Sequence, residues 1–206
     1  MARLAIINYG AGNIYALKNS LEKAGACVSV VAASGTAGPD AGADPASDDD
    51  CAGIVLPGVG NFDQVMSELE PYKEMMETVP VLGICVGMQA FYKSSQEGRR
   101  PGLGVMSGTV VKLPESMKSP HMGWNMIDVS RPGRLLDGVG GGSWVYYTHS
   151  YMADSDRGPV TAVSEYGVDV PAAVERDNYF GTQFHPEKSG KTGKKVLENF
   201  VGVCRR

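Results

Sequence analysis

The chain has 206 residues, 43% of them hydrophobic, and a formal net charge of −4. That length supports one globular domain, residues 1–206, with a sizeable core, and the acidic balance argues against nucleic-acid binding as its main business. Four cysteines with no C-x-x-C pair and no regular framework suit free thiols in a reducing cytosol, and the lack of a signal peptide or a long apolar run predicts a cytoplasmic protein with no membrane partner.

Leu4–Asn8 is a short apolar run suited to a buried parallel strand. After the Gly10/Gly12 turn, Ile14, Leu17, Leu21 and Ala24 recur at helical spacing, and Gly25 ends that helix. Gly10-Ala11-Gly12 resembles the start of a dinucleotide fingerprint, but Tyr15 stands where the third glycine belongs, so a tight turn is the better reading. Cys27–Ala32 reads as a second strand. Residues 34–50 are rich in Gly, Ala, Asp and Pro, have little to bury and are expected to form a flexible surface loop. Gly53–Leu56 is a third strand, followed by Gly58-Val59-Gly60 and then by Asn61 as an N-cap. The helix it opens carries Val65, Met66, Leu69, Met75 and Met76, with Pro71 interrupting it.

Val79–Leu82 is a further apolar run, and it leads into Gly83-Ile84-Cys85-Val86-Gly87-Met88-Gln89. This is a nucleophile elbow, G-x-C-x-G: a sharp strand-to-helix turn pushes the central side chain out above the sheet, and small neighbours leave room for it. Cys85 then sits at a helix N-terminus, where free N–H groups and the dipole favour a thiolate. The alternation of strand and helix up to this point implies a parallel sheet with helices on both faces. From Val105 onward the pattern changes to short strand-like pieces between Gly, Pro and Asp turns, such as Thr109–Leu113, Trp144–Thr148, Val160–Val163 and Tyr179–Phe184. A last helix is expected at roughly Gly193–Cys204, and the lysines at its start, Lys191, Lys194 and Lys195, read as solvated surface.

The segment His185-Pro186-Glu187 supplies a partner for Cys85. Pro186 biases His185 toward extended backbone, and in an extended segment residues i and i+2 share a face. Glu187 is then placed to hold one ring nitrogen of His185 while the other acts on Cys85, the nucleophile–base–orienter arrangement of a triad. His121 and His149 have no H-x-x-x-H or C-x-x-C spacing around them, so no metal site and no cofactor are expected.

These segments carry a family resemblance. Together with Asn8-Tyr9-Gly10-Ala11-Gly12-Asn13, Leu56-Pro57-Gly58-Val59-Gly60-Asn61-Phe62, Gly102-Leu103-Gly104, Pro120-His121-Met122-Gly123-Trp124-Asn125 and Tyr146-Tyr147-Thr148-His149-Ser150-Tyr151, they resemble the class I, triad-type glutamine amidotransferases. Within these the chain is most similar to the glutaminase subunits of imidazole glycerol phosphate synthases, of histidine biosynthesis. The resemblance implies a single flavodoxin-like α/β domain with an open mixed, mainly parallel sheet, antiparallel in its second half. It implies glutamine as substrate, hydrolysed by Cys85, His185 and Glu187. The N–H of Val86 and one from Val59 or Gly60 would form the oxyanion hole. Gln89 and Glu97 would bind the substrate, with backbone groups of His149, Ser150 and Tyr151 helping. The partner implied is a separate (β/α)8 cyclase subunit that takes the ammonia, with Asn13, Trp124 and Lys188 at the interface. The 34–50 segment is longer than the family's usual connection. Other readings stay open: a glutaminase of vitamin B6 or anthranilate synthesis, a stand-alone cysteine peptidase or amidohydrolase, and a scaffold without activity. The Trp124 and His149-Ser150-Tyr151 segments and the complete triad speak against each in turn.

Overall fold

The chain folds around one nine-stranded sheet. The structure is a computed structural model and describes residues 1–10, 14–32 and 51–205. Strands β1 (Ala2–Asn8), β2 (Ala26–Ala32), β3 (Gly53–Leu56), β4 (Val81–Ile84) and β11 (Tyr179–Thr182) are mutually parallel. The central ones, β3 and β4, are continuous buried runs, as strands covered on both faces must be. Strands β10 (Asp169–Arg176), β9 (Val160–Glu165), β6 (His121–Val129) and β7 (Ser143–His149) extend the sheet antiparallel. The order across the sheet is β2-β1-β3-β4-β11-β10-β9-β6-β7. The short strands β5 (Thr109–Lys112) and β8 (Tyr151–Asp154) pair separately.

Helices α1 (Ile14–Lys23) and α5 (Gly190–Val203) bury Leu17, Leu21, Val196, Leu197, Phe200 and Val201 against one face. On the other face lie α2 (Phe62–Leu69), α3 (Lys73–Thr78) and the short α4 (Val86–Gln89). In α2 the buried residues Phe62, Val65, Met66 and Leu69 fall on a single stripe, and Asn61 Oδ1 accepts from the Gln64 N–H at 3.0 Å as the N-cap. Each such side chain, fully buried, stabilises the fold by about 1.5–3 kcal/mol. Pro71 ends the helical hydrogen bonding as expected: a 3-10 turn, Glu70–Tyr72, separates α2 from α3. The crossovers place the carboxyl ends of β3, β4 and β11 side by side, where open α/β sheets present their sites.

The structure corrects several local expectations. Strand β4 starts two residues later than the Val79–Leu82 run, and β11 stops at Thr182. The last helix starts at Gly190. Strands β6, β8 and β10 are additions; β10 hides behind Pro171, which sits at a shift in the β9–β10 register where its missing N–H is tolerated. Residues 34–50 and Asn13 lie outside the described residues.

Candidate active site

Cys85 has φ 51° and ψ −111°, a conformation costly for a residue with a side chain, on the order of 1–3 kcal/mol. The neighbours hold it there. Its N–H donates to the Thr182 carbonyl at 2.7 Å, and its carbonyl accepts from the Gln89 N–H at 3.0 Å. The elbow also needs Gly83, because a Cβ there would come within 2.6 Å of the Gly87 carbonyl carbon and the Met88 nitrogen. The helix that follows, α4, is only four residues long. Its dipole is therefore far weaker than the motif by itself suggests.

His185 arrives from the end of β11. Its backbone is extended, at φ −94° and ψ 99°, but Pro186–Lys188 then forms one 3-10 turn, so the extended His-Pro-Glu geometry expected from the sequence is not what pairs the two side chains. The turn folds Glu187 back, and its Oε1 accepts from His185 Nδ1 at 2.8 Å. The segment is pinned to the edge of β7. The His185 N–H donates to the Tyr146 carbonyl at 2.9 Å. Ser189 Oγ accepts from the Tyr146 N–H at 2.9 Å and donates to the His185 carbonyl at 2.6 Å.

The Nδ1–H bond to a carboxylate leaves Nε2 as the nitrogen that can accept or give a proton. Nε2 is buried and has no hydrogen-bond partner among the described residues. Burial pulls the ring's pKa down, but the nearness of Cys85 and the Glu187 carboxylate outweigh it and hold the pKa up at about 9. The imidazole therefore carries a proton to spare at neutral pH. The Cys85 thiol itself is turned to the Thr148 carbonyl, 3.8 Å away. Gly58 abuts both partners: a Cβ there would sit 2.8 Å from Cys85 Cβ and from His185 Cε1.

A cleft of about 440 Å³ opens over Cys85, lined by Gly58, Val59, Gly60, Val86, Gln89, Glu97, His149, Ser150 and Tyr151, with Pro120 and Thr148 in addition. Every oxyanion and substrate residue expected from the sequence is thus brought into the lining of one cleft. As the first residue of α4, Val86 has an N–H with no carbonyl four residues back in the helix. Gln89 spends both N–H groups inside the protein, on the Tyr151 carbonyl at 2.9 Å and on Gln183 Oε1 at 3.0 Å. Only its own oxygen is left for a ligand. His149 likewise uses both ring nitrogens, on the Tyr151 carbonyl and on His121 Nδ1. What it offers the cleft is backbone. Glu97 stands at the rim. Burial raises its pKa, a bond from the Phe62 N–H at 2.9 Å opposes this, and Asp63 adds to it.

A second cleft, about 240 Å³, lies on the other side of His185, between Ile14, Leu17, Pro57, Glu187 and Lys188, and shares Gly58, Val59 and Thr148 with the first. Trp124 lines neither cleft and is half-exposed on the outer face of β6. Two residues near the nucleophile have no role that the sequence alone suggests: Thr148, whose carbonyl takes the thiol, and Gln183, fully buried with Nε2 at 3.5 Å from Cys85 Sγ. Among the described residues no group of three or more His, Cys, Asp or Glu is arranged to hold a metal ion, and no helix is long and apolar enough to cross a membrane.

Comparison with known proteins puts this geometry in context. Residues 5–203 match the model of the family described as glutamine amidotransferase class-I. The chain is 44% identical over 207 residues to the imidazole glycerol phosphate synthase subunit HisH of Archaeoglobus fulgidus, covering 98% of this chain and 100% of that one. It is 39% identical over 214 residues to the subunit of the same name from Moorella thermoacetica, covering 100% and 97%. Among solved structures, a putative GMP synthase subunit from Thermoplasma acidophilum superposes with a TM-score of 0.75 at 22% identity, covering 100% of this chain and 94% of that one. PurLQS from Thermotoga maritima gives 0.69 at 20% identity, covering 98% of each. These two likenesses establish the fold. The chain belongs to the class I glutamine amidotransferases and, within them, to the HisH subunits of imidazole glycerol phosphate synthase.

Proposed function

We propose that the chain hydrolyses the side-chain amide of glutamine through a Cys85–His185–Glu187 triad. The ammonia passes to a separate (β/α)8 cyclase subunit, which makes imidazole glycerol phosphate and aminoimidazole carboxamide ribotide. The observation that carries the reading is the meeting of the three side chains: Cys85 opens on the first cleft, and His185, whose Nδ1 is held by Glu187 at 2.8 Å and whose pKa Cys85 and Glu187 hold up, stands behind it against the second.

The Cys85 sulfur attacks the amide carbon, and the carbonyl electrons move to oxygen. The Val86 N–H and one from Val59 or Gly60 stabilise that oxyanion, each such donor contributing about 3–4 kcal/mol in the transition state. His185 gives its proton to the leaving nitrogen, ammonia departs and a thioester remains. Water then attacks the thioester carbon with His185 as base. Glutamate leaves and the sulfur takes a proton back. Glu187 keeps Nδ1 protonated and Nε2 free throughout. Gln89 presents its oxygen to the substrate amide, Glu97 faces the α-ammonium group, and the backbone of His149, Ser150 and Tyr151 forms the facing wall. No cofactor enters any step. The second cleft, lined by His185, Glu187 and Lys188, suits an ammonia exit, and this reading takes Lys188, with Trp124 and Asn13, as residues that meet the partner.

The test is Cys85→Ser. The side chain is nearly isosteric, so the fold should persist. Glutamine hydrolysis should be abolished, because an oxygen nucleophile of far higher pKa is not activated by the same surroundings. The partner's use of added ammonium salt should be intact. Substantial glutaminase activity in this variant would sink the triad.

A further inference from the structure

An amide with no exposure lies against the nucleophile. Gln183 follows β11 directly, two residues before His185, and its backbone N–H is anchored on the Ala172 carbonyl at 2.9 Å. Its Nε2 is 3.5 Å from Cys85 Sγ. Its Oε1 accepts from Gln89 Nε2 at 3.0 Å, and the same Gln89 nitrogen donates to the Tyr151 carbonyl at 2.9 Å.

The hydrogen-bond logic fixes which end of Gln183 faces sulfur. The Tyr151 carbonyl can only accept, so the Gln89 atom beside it must be nitrogen. That nitrogen needs an acceptor for its second N–H, so the Gln183 atom facing it must be oxygen. The nitrogen of Gln183 is then left pointing at Cys85. Turning Gln89 over would set its oxygen against the Tyr151 carbonyl and Gln183 Oε1, and turning Gln183 over would set its NH2 against that of Gln89, each in a buried place and at the cost of an unsatisfied pair.

A neutral thiol is a poor acceptor for a fully buried N–H. A thiolate is a good one, because the bond becomes charge-assisted, shorter and about twice as strong. Gln183 is therefore best satisfied when the sulfur is anionic, the state that attacks. The four-residue α4 offers little dipole for the same purpose.

We propose that Gln183 is a further catalytic residue, whose Nε2–H stabilises the Cys85 thiolate and competes with the Thr148 carbonyl for the position of the sulfur. This rests on the triad reading above. Through Gln89 the amide also couples the sulfur's position to the wall that carries Tyr151.

The experiment follows alkylation of the Cys85 peptide by iodoacetamide against pH, read by mass spectrometry, in wild type, Gln183→Met and Gln183→Glu. Glutamine turnover is measured in the complex with the partner subunit. Met removes the donor at similar length; Glu keeps the shape but sets a negative acceptor against the sulfur. The alkylation midpoint should move up by about one pH unit in Gln183→Met and further in Gln183→Glu. The value of kcat should fall about 10- to 100-fold, the range expected for a hydrogen bond to a charged group, with KM little changed. A second measurement needs no change at position 183. The side-chain ¹⁵N–¹H resonances of Gln183 in wild type should titrate with the alkylation midpoint, and in Cys85→Ser they should not. An unmoved midpoint, an unmoved resonance or a loss confined to KM each overturns the proposal. If Cys85→Ser is inactive while the Gln183 variants behave as wild type, this inference fails and the triad stands. If Cys85→Ser is active, the triad itself fails.

Discussion

At the scale of single residues, the site divides its labour unequally. In the proposed mechanism His185 moves protons, whereas Glu187 only orients and stabilises the ring through one bond of 2.8 Å. Glu187→Gln keeps an oxygen that can still accept from Nδ1, and should lower kcat less than His185→Ala does. Turnover of both variants in the complex checks this. If Glu187→Gln were as inert as Cys85→Ser, Glu187 would have to take a more direct part. Cys85, His185 and Glu187 are legible in the sequence because each lies in a short motif with its own chemistry: a glycine-flanked elbow and an imidazole two residues from a carboxylate. The Glu97 role comes only through family resemblance. Gln183 is not legible as a functional residue. A lone glutamine carries no local signal, and its two partners are 94 and 98 residues away in the chain. Thr148 contributes only a backbone carbonyl, which any residue would have.

At the scale of elements, the β6–β7 pairing does more than extend the sheet. It sets His121 opposite His149, and the carbonyl of Tyr151 fixes the direction of the bonds between them. A carbonyl must accept, so His149 Nδ1 donates to it, and His149 Nε2 then accepts from His121 Nδ1 at 3.0 Å. His121 is also stacked between Tyr147 and Tyr166, with ring centroids at 4.4 and 3.9 Å. Burial lowers both histidines to about 4. For His149 the nearby His121 and His185 add to that, against the Tyr151 carbonyl. Both rings are neutral in the folded chain, while the unfolded chain binds protons below about 6.5. Their contribution to stability is therefore present above pH 6.5 and is lost as the pH falls from 6.5 through 4. His185 has the opposite sign: its contribution is present below 6.5 and is lost as the pH rises through about 9, outside the acid window. The midpoint of urea unfolding should fall between pH 6.5 and 4. The fall should be smaller in His121→Asn, whose amide nitrogen stands near the place of Nδ1 and does not titrate. An equal fall in both proteins would remove the pair from the account. The β6 strand itself is hard to read from the sequence. Its outward residues, Met122, Trp124 and Met126, are more apolar than the inward His121, Gly123 and Asn125, so the strand inverts the polar-out alternation that marks a half-buried antiparallel strand.

At the scale of the whole molecule, that inverted alternation becomes a surface. Met122, Trp124 and Met126 on β6 and Trp144 on β7 are 48 to 64% exposed, and the cross-strand register sets Trp124 beside Tyr146 and Met126 beside Trp144. Apolar side chains gathered on one face mark an interaction site, and tryptophans carry much of the binding energy at such sites. Lys188 reaches over the Tyr146 ring, with Nζ 5.8 Å from its centroid, and so links this face to the cleft behind His185. The partner subunit expected here would cover both. Trp124→Ala and Lys188→Ala should each weaken the complex, the latter by about 2–5 kcal/mol if the ammonium is paired with an acidic residue out of water. Docking beside Gly58, which touches both Cys85 and His185, also gives a route for control. Contacts made only in the complex can favour the arrangement of the Gly58–Gly60 loop that turns an N–H to the oxyanion, and a population shift needs such a difference in contacts. Turnover should then be low for the isolated chain and higher for the complex holding the cyclase's ligand, with Lys188→Ala between them. The measurement is kcat for glutamine in these three states. Equal values throughout would remove the coupling and leave the triad standing, because nothing in the bond from His185 to Glu187 depends on a second chain.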